Sequence, residues 1–179
     1  MQKNFSKQEI EKIYKSGIQD DQNALNVTGK KRTFLQQRAE KKFHKIIVNH
    51  PDNPFGYRGM ALLLQHQNKL NDALKNVFYA YNLNKKDSSI YLYIGNIYKA
   101  KKDFKSACVF YRKAMRNKNL RTSALINITF LYFEQGSKSQ ARRYATRAIN
   151  NIRKTKGSLF GSFIQKLNEV KMLTQQTKD

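Results

Sequence analysis

Three histidines, one cysteine and twelve carboxylates are the residues of this 179-residue chain that could do acid–base, nucleophilic or metal chemistry. His44, His50 and His66 never stand three or four residues apart, the spacing that lets one helix face hold a zinc ion. Cys108 has no histidine near it in sequence, and beside Ala107 it reads as a small apolar packing group. A single cysteine forms no internal disulfide, so nothing points to an oxidising compartment. No glycine-rich phosphate loop is present. The expectation is a chain with no catalytic residues, no bound metal and no cofactor.

Charge is the chemistry that remains. Thirty-five Lys and Arg against twelve Asp and Glu give a net charge of +23 and a pI of about 10.2, well beyond what solubility requires. Residues 88–156 hold sixteen of the cations against Asp103 and Glu134 alone. Arg112, Lys113 and Arg116, then Arg142, Arg143 and Arg147 one repeat later, fall off the small-residue positions of their helices and are expected to face solvent; Arg153 and Lys154 extend the same surface. Such a field calls for an acidic partner, either nucleic acid or an acidic protein.

The stretch DSSIYLYIGNIYKAKKDFKSACVFYRKAM, residues 87–115, shows which elements carry these charges. Small residues at Gly95, Ala107 and Ala114 amid aromatics suit two helices in close approach, with the turn near Lys101–Asp103. Sliding the chain along itself by 34 residues superposes Ala73, Ala107 and Ala141, and likewise Ala80, Ala114 and Ala148. Tyr57, Tyr91 and Leu125 repeat at the same interval, as do Met60, Ile94 and Ile128. One step further back lies Ala39, followed by Phe43 and Ile46.

This pattern resembles the tetratricopeptide repeat, a helix–turn–helix unit of about 34 residues. The middle repeat carries the likeness best, with Tyr91, Ile94, Gly95 and Tyr98, then Ala107, Tyr111 and Ala114, and Asn119 where the family has proline. The likeness spans roughly residues 33–153 and implies an all-α, right-handed solenoid of helical hairpins. Three full repeats, 54–87, 88–121 and 122–156, follow a half-repeat at 33–53 that carries Pro51 in register with the family's proline. Helical pairs are expected near 54–67 with 70–83, 88–101 with 104–117, and 122–135 with 138–152. In such an array the tyrosines are packing residues between repeats, not a platform for stacking bases.

The flanks complete the picture. Residues 1–32 read as an amphipathic helix opened by the capping box SKQE (6–9) and carrying Phe5, Ile10, Ile13, Tyr14 and Ile18. A polar, mobile linker is expected over 19–32. Residues 157–179 break at Gly157 and then give Leu159, Phe160, Phe163, Ile164, Leu167, Val170 and Leu173 at helical spacing, a helix to cap the last repeat before a frayed tail. The amino terminus has no apolar leader core, and no run reaches membrane-spanning length, so an intracellular, by default cytoplasmic, protein is expected, with an organelle interior left open.

The resemblance also implies a concave groove lined by the first helix of each repeat. It would hold Phe55, Arg58, Leu62 and His66, then Leu92, Asn96 and Lys99, then Ile126, Asn127, Phe130 and Phe133, with Glu134 the one carboxylate nearby. Some relatives clamp a carboxy-terminal carboxylate with asparagines and basic residues. Asn96 and Asn127 fit two of those positions, but Leu92 replaces the lysine, and the last basic pair falls on Gly157 and Gly161. The groove is therefore mostly apolar with a few polar handles. Either a partner segment lies in it, or residues 5–18 fold back to fill it. Leu92, Ile126, Phe130 and Phe133 are expected to be partly exposed. Two functions remain: an adaptor or scaffold holding an acidic or amphipathic protein, or an RNA- or ribosome-associated component of a ribonucleoprotein that contacts phosphate through its Lys/Arg face.

Overall fold

The computed structural model of the chain describes residues 4–154 and 161–175. Among the described residues there are nine helices and no strand: α1 Lys7–Leu25, α2 Gly29–Asn49, α3 Pro54–His66, α4 Leu70–Leu83, α5 Ile90–Ala100, α6 Phe104–Met115, α7 Arg121–Glu134, α8 Lys138–Lys154 and α9 Gly161–Leu173. Each odd helix packs antiparallel on the even helix that follows, the hairpins stack in chain order, and α9 lies on α8 and α7. The three repeats thus fall within a few residues of their expected places.

The turns repeat as strictly as the small residues do. Asn68, Lys102 and Gly136, each 34 residues from the next, take positive φ of 60°, 62° and 76°. The following amides reach back to the helix they have just left: Lys69 N to Leu64 O at 2.8 Å, Asp103 N to Tyr98 O at 3.0 Å and Ser137 N to Tyr132 O at 2.9 Å. This is the six-to-one bond of a left-handed helix C-terminus, which satisfies a carbonyl that helix termination would orphan. Two of the three positions carry a residue with a Cβ in a conformation that favours glycine, so the hairpin geometry overrides local preference there.

Burial explains the small residues. Ala73, Ala107 and Ala141 have no exposed surface, nor have Ala80, Ala114 and Ala148. A Cβ built on Gly95 would lie 2.5 Å from the Tyr111 ring, so glycine is what lets that ring seat between α5 and α6. The core is divided along the array, one cluster around α1–α3, one around α3–α6 and one around α5–α9, as expected of stacked repeats.

The amino terminus departs from expectation. The Ser6–Glu9 capping box is present, Ser6 N donating to Glu9 Oε2 at 2.8 Å and Glu9 N to Ser6 Oγ at 3.2 Å. Residues 19–32, however, are no linker: α1 runs on to Leu25, α2 starts at Gly29, and three residues turn between them. Most of the polar residues that suggested a linker are helical, and both aspartates are paired. Asp20 is buried against Lys42 Nζ (2.5 Å) and Arg38 Nε (3.4 Å), and Asp21 Oδ2 lies 2.7 Å from His66 Nδ1. The half-repeat is accordingly a complete hairpin, with α1 supplying the missing first helix. Gly17 of α1 meets Phe43 of α2 as Gly95 meets Tyr111; a Cβ placed on Gly17 would fall 2.6 Å from the ring. At the other end Leu167 and Val170 are buried and Phe163 and Ile164 half-buried, as a cap requires, but Leu173 faces solvent; Leu159, Phe160 and the tail beyond Gln175 lie outside the described residues.

Candidate functional site: a concave groove and a cationic face

The groove is a concavity of about 650 Å³ walled by α1, α3, α5 and α7. Arg58, Leu62, Leu92, Asn96 and Asn127 line it as expected. Tyr14, Lys15, Ile18 and Gln22 of α1 line it too, so the amino-terminal helix is a wall and leaves the concavity unfilled. Tyr14, Lys15 and Ile18 belong to the 5–18 segment that was expected either to fill the groove or to leave it to a partner, and they wall it instead. Gln19, Gln22 and Tyr93 were missed, the first two because residues 19–32 read as a linker.

The remaining groove residues divide. Phe55 stacks on Tyr14, ring centroids 5.0 Å apart, and belongs to the wall. Lys99 Nζ is 2.7 Å from Glu134 Oε1 and ties α5 to α7. Leu92 and Phe130 are half-buried and Phe133 exposed, but Phe130 and Phe133 lie outside the concavity. Ile126 is a correction: it is buried within the core cluster that includes Leu167 and Val170 of α9. Helix α7 packs against α6, α8 and α9, so a side that faces the groove in earlier repeats is core here.

Arg58 anchors the floor. Its Nη1 donates to Asp87 Oδ2 at 2.8 Å, its Nε to Tyr14 Oη at 3.1 Å, and the guanidinium lies 4.8–5.6 Å from the Phe55, Tyr14 and Tyr93 ring centres. Burial alone would draw its pKa down, but the charge interactions with Tyr14, Tyr93 and Asp87 outweigh that and hold it above the ordinary value. Burial in turn pushes the Tyr14 phenol well up, so it stays neutral. Beside this fixed cluster, Asn96 Oδ1 accepts from Tyr111 Oη (2.7 Å) and from Asn127 Nδ2 (3.4 Å). The Asn96 amide NH₂ and the Asn127 carbonyl keep no partner among the described residues, which leaves one donor and one acceptor side by side among apolar side chains.

The cationic face lies on the even helices and their ends. Arg112, Lys113, Arg116, Arg142, Arg143, Arg147, Arg153 and Lys154 are all exposed. Among the described residues none of them pairs with a carboxylate. Lys113 rests over Phe110 (4.9 Å) and Arg147 over Tyr144 (5.1 Å), which holds the stems down and leaves the charges outward. Arg121, the first residue of α7, joins this surface and was missed because the face was read from the second helix of each repeat. Among the described residues no group of three His, Cys, Asp or Glu could hold a metal, and no helix is long and apolar enough to cross a membrane.

A stack of helical hairpins with a concave groove defines a tetratricopeptide-like helical solenoid. The crystal structure of MamA has the same fold: it superposes with a TM-score of 0.59 over 82% of this chain and 86% of that one, at 19% sequence identity. No family model matches the chain, and no curated protein matches its sequence.

Proposed function

We propose that this chain is a non-catalytic scaffold that holds an extended or helical segment of an acidic or amphipathic protein in its concave groove. The observation that carries the reading is the unpaired Asn96 donor and Asn127 acceptor, set beside Leu62, Leu92 and Ile18 in a concavity of about 650 Å³. A partner backbone needs such a donor and acceptor, and its apolar side chains need the leucines. The surplus of positive charge favours an acidic sequence and speeds its encounter. Peptides selected against the protein from a random library test this. They should be rich in Asp or Glu with interspersed apolar residues, and Leu92→Glu combined with Asn96→Ala should lower their affinity at least ~10-fold with the helical signal unchanged. Peptides that bind both proteins equally would place the interface elsewhere.

A second reading is an RNA-contacting component of a ribonucleoprotein. The eight exposed cations without carboxylate partners among the described residues favour it, because phosphate is the commonest polyanion such a face meets. Purification from the native source with and without ribonuclease separates the two: a protein partner stays, an RNA-tethered assembly leaves.

A further inference from the structure

Three smaller hollows lie outside the concave groove, and neighbouring ones share a lining arginine. The first, about 430 Å³, is lined by Tyr91, Lys113 and Arg116; the second, about 470 Å³, by Arg116, Arg121, Arg147, Asn150 and Lys154; the third, about 500 Å³, by Arg142, Arg143, Thr146, Arg147 and Lys171. Arg116 belongs to the first and second, and Arg147 to the second and third. Among the described residues no carboxylate lines any of the three. We infer that these hollows form one track, running over the junction of α6, α7 and α8 and on toward α9, that takes the phosphate backbone of a single nucleic-acid strand. The inference rests on the second reading above and assigns its contact surface.

Several features favour a nucleic-acid strand over an acidic peptide or a lone phosphate. The shared positions are arginines, whose planar fork pairs with two oxygens of one phosphate, where lysine would act as a point charge. The hollows are consecutive, so a linear polymer fills all of them and a free anion only one. From Arg142 to Lys154 the cations of α8 span about 18 Å at 1.5 Å per residue, long enough to meet more than one phosphate of the same strand. Met115 and Leu125 also line the second hollow, but the rest of the lining of all three is polar, cationic or Tyr91, and every hollow has at least one arginine. Tyr91 at one end, half-buried beneath Lys113, offers a ring face beside the charge.

Fluorescence anisotropy with a labelled 20-nucleotide oligouridylate tests the track. The full chain should bind it with a log–log salt slope of several times about −0.7, the value per neutralised phosphate on a single strand. Arg116→Glu with Arg147→Glu should weaken binding at least ~10-fold near physiological salt and reduce the slope by ~1.4 or more. Lys30→Glu with Lys31→Glu, an equal charge change on exposed α2 residues, should alter affinity less than ~3-fold. Circular dichroism of both variants checks that the helices persist, and Arg116→Lys with Arg147→Lys, which cannot misfold through charge, should lose an intermediate amount. If the two charge reversals weaken binding equally, RNA is held by net charge alone and the track is wrong, though the second reading survives. If polyglutamate of equal charge displaces the RNA as well as unlabelled oligouridylate does, the track has no phosphate preference and the inference fails. Dissociation constants no tighter than ~10⁻⁴ M would overturn both the track and the reading beneath it.

Discussion

The two halves of the solenoid repeat one hairpin but use charge in opposite ways. Residues 1–87 hold sixteen Lys and Arg against eight carboxylates, and residues 88–179 hold nineteen against four. In the first half three of the eight carboxylates tie separate elements together: Asp20 takes Lys42 and Arg38, Asp21 takes His66, and Asp87, in the turn before α5, takes Arg58 of α3. In the second half Lys99–Glu134 is the one such tie among the described residues, and the arginines of α8 stand in solvent. Repeat packing is therefore independent of the polar residues laid over it. One end can use ions to lock helices where apolar pairing is thin, while the other leaves them free to attract a partner.

That contrast can be broken experimentally. The largest effect should come from Arg58→Ala, which strips Asp87 and Tyr14 of their partner and opens space between three rings. A loss of roughly 2–4 kcal/mol is expected, after allowing for the partial exposure of Asp87, and would appear as a lower urea midpoint. An unchanged midpoint would mean the first half is not locked by its ions. Alkali should weaken both halves, through Tyr14 in the first and Tyr111 in the second. Tyr111 is fully buried and donates to Asn96, and burial raises its pKa above the ordinary 10.0. In the folded state the phenol keeps its proton while the unfolded phenol ionises. Its contribution is thus complete below about pH 10 and falls as pH rises beyond it, by at most ~1.4 kcal/mol per pH unit. Tyr111→Phe should flatten that decline in denaturation curves taken above about pH 10, and a decline of equal slope in the variant would exclude Tyr111 as its source. The smallest effect belongs to Arg143→Glu on the open face. It should shift stability by only a few tenths of a kcal/mol, in the stabilising direction at low salt, because it relieves repulsion along α8 and breaks no bond. A loss above about 1 kcal/mol would show that this arginine is structural after all.

Legibility in the sequence followed the same division. From Pro54 to Lys154 the helices were readable because the residues that matter are small, apolar and 34 apart, and burial of Ala73, Ala107 and Ala141 is what keeps them so. The first hairpin escaped that search for two physical reasons. Its glycine and ring, Gly17 and Phe43, stand 26 residues apart where Gly95 and Tyr111 stand 16 apart, because α1 and α2 are longer than later helices. Its interior also contains Asp20 and Asp21, whose partners on α2 and α3 no local pattern reveals. Gln19 and Gln22 of the groove wall were missed with it. Ile126 was misplaced because the cap formed by α9 changes what is core in the last repeat. The cationic residues were legible from their spacing on the helices, but the proposed track depends on Arg116 and Arg147 each lining two hollows, which spacing does not reveal.

The recurring bend at Asn68, Lys102 and Gly136 has a consequence for how such a molecule can vary in size. Each bend closes with the same amide-to-carbonyl bond, so each turns the second helix of its hairpin back on the first in the same way. Growth by a whole hairpin copies a junction that already works, whereas gain or loss of any other number of residues rotates everything downstream off its neighbour. Among the last three hairpins length comes in steps of 34 residues, the interval between successive bends, and a further step of that kind would extend both the concave side and the outer face at once.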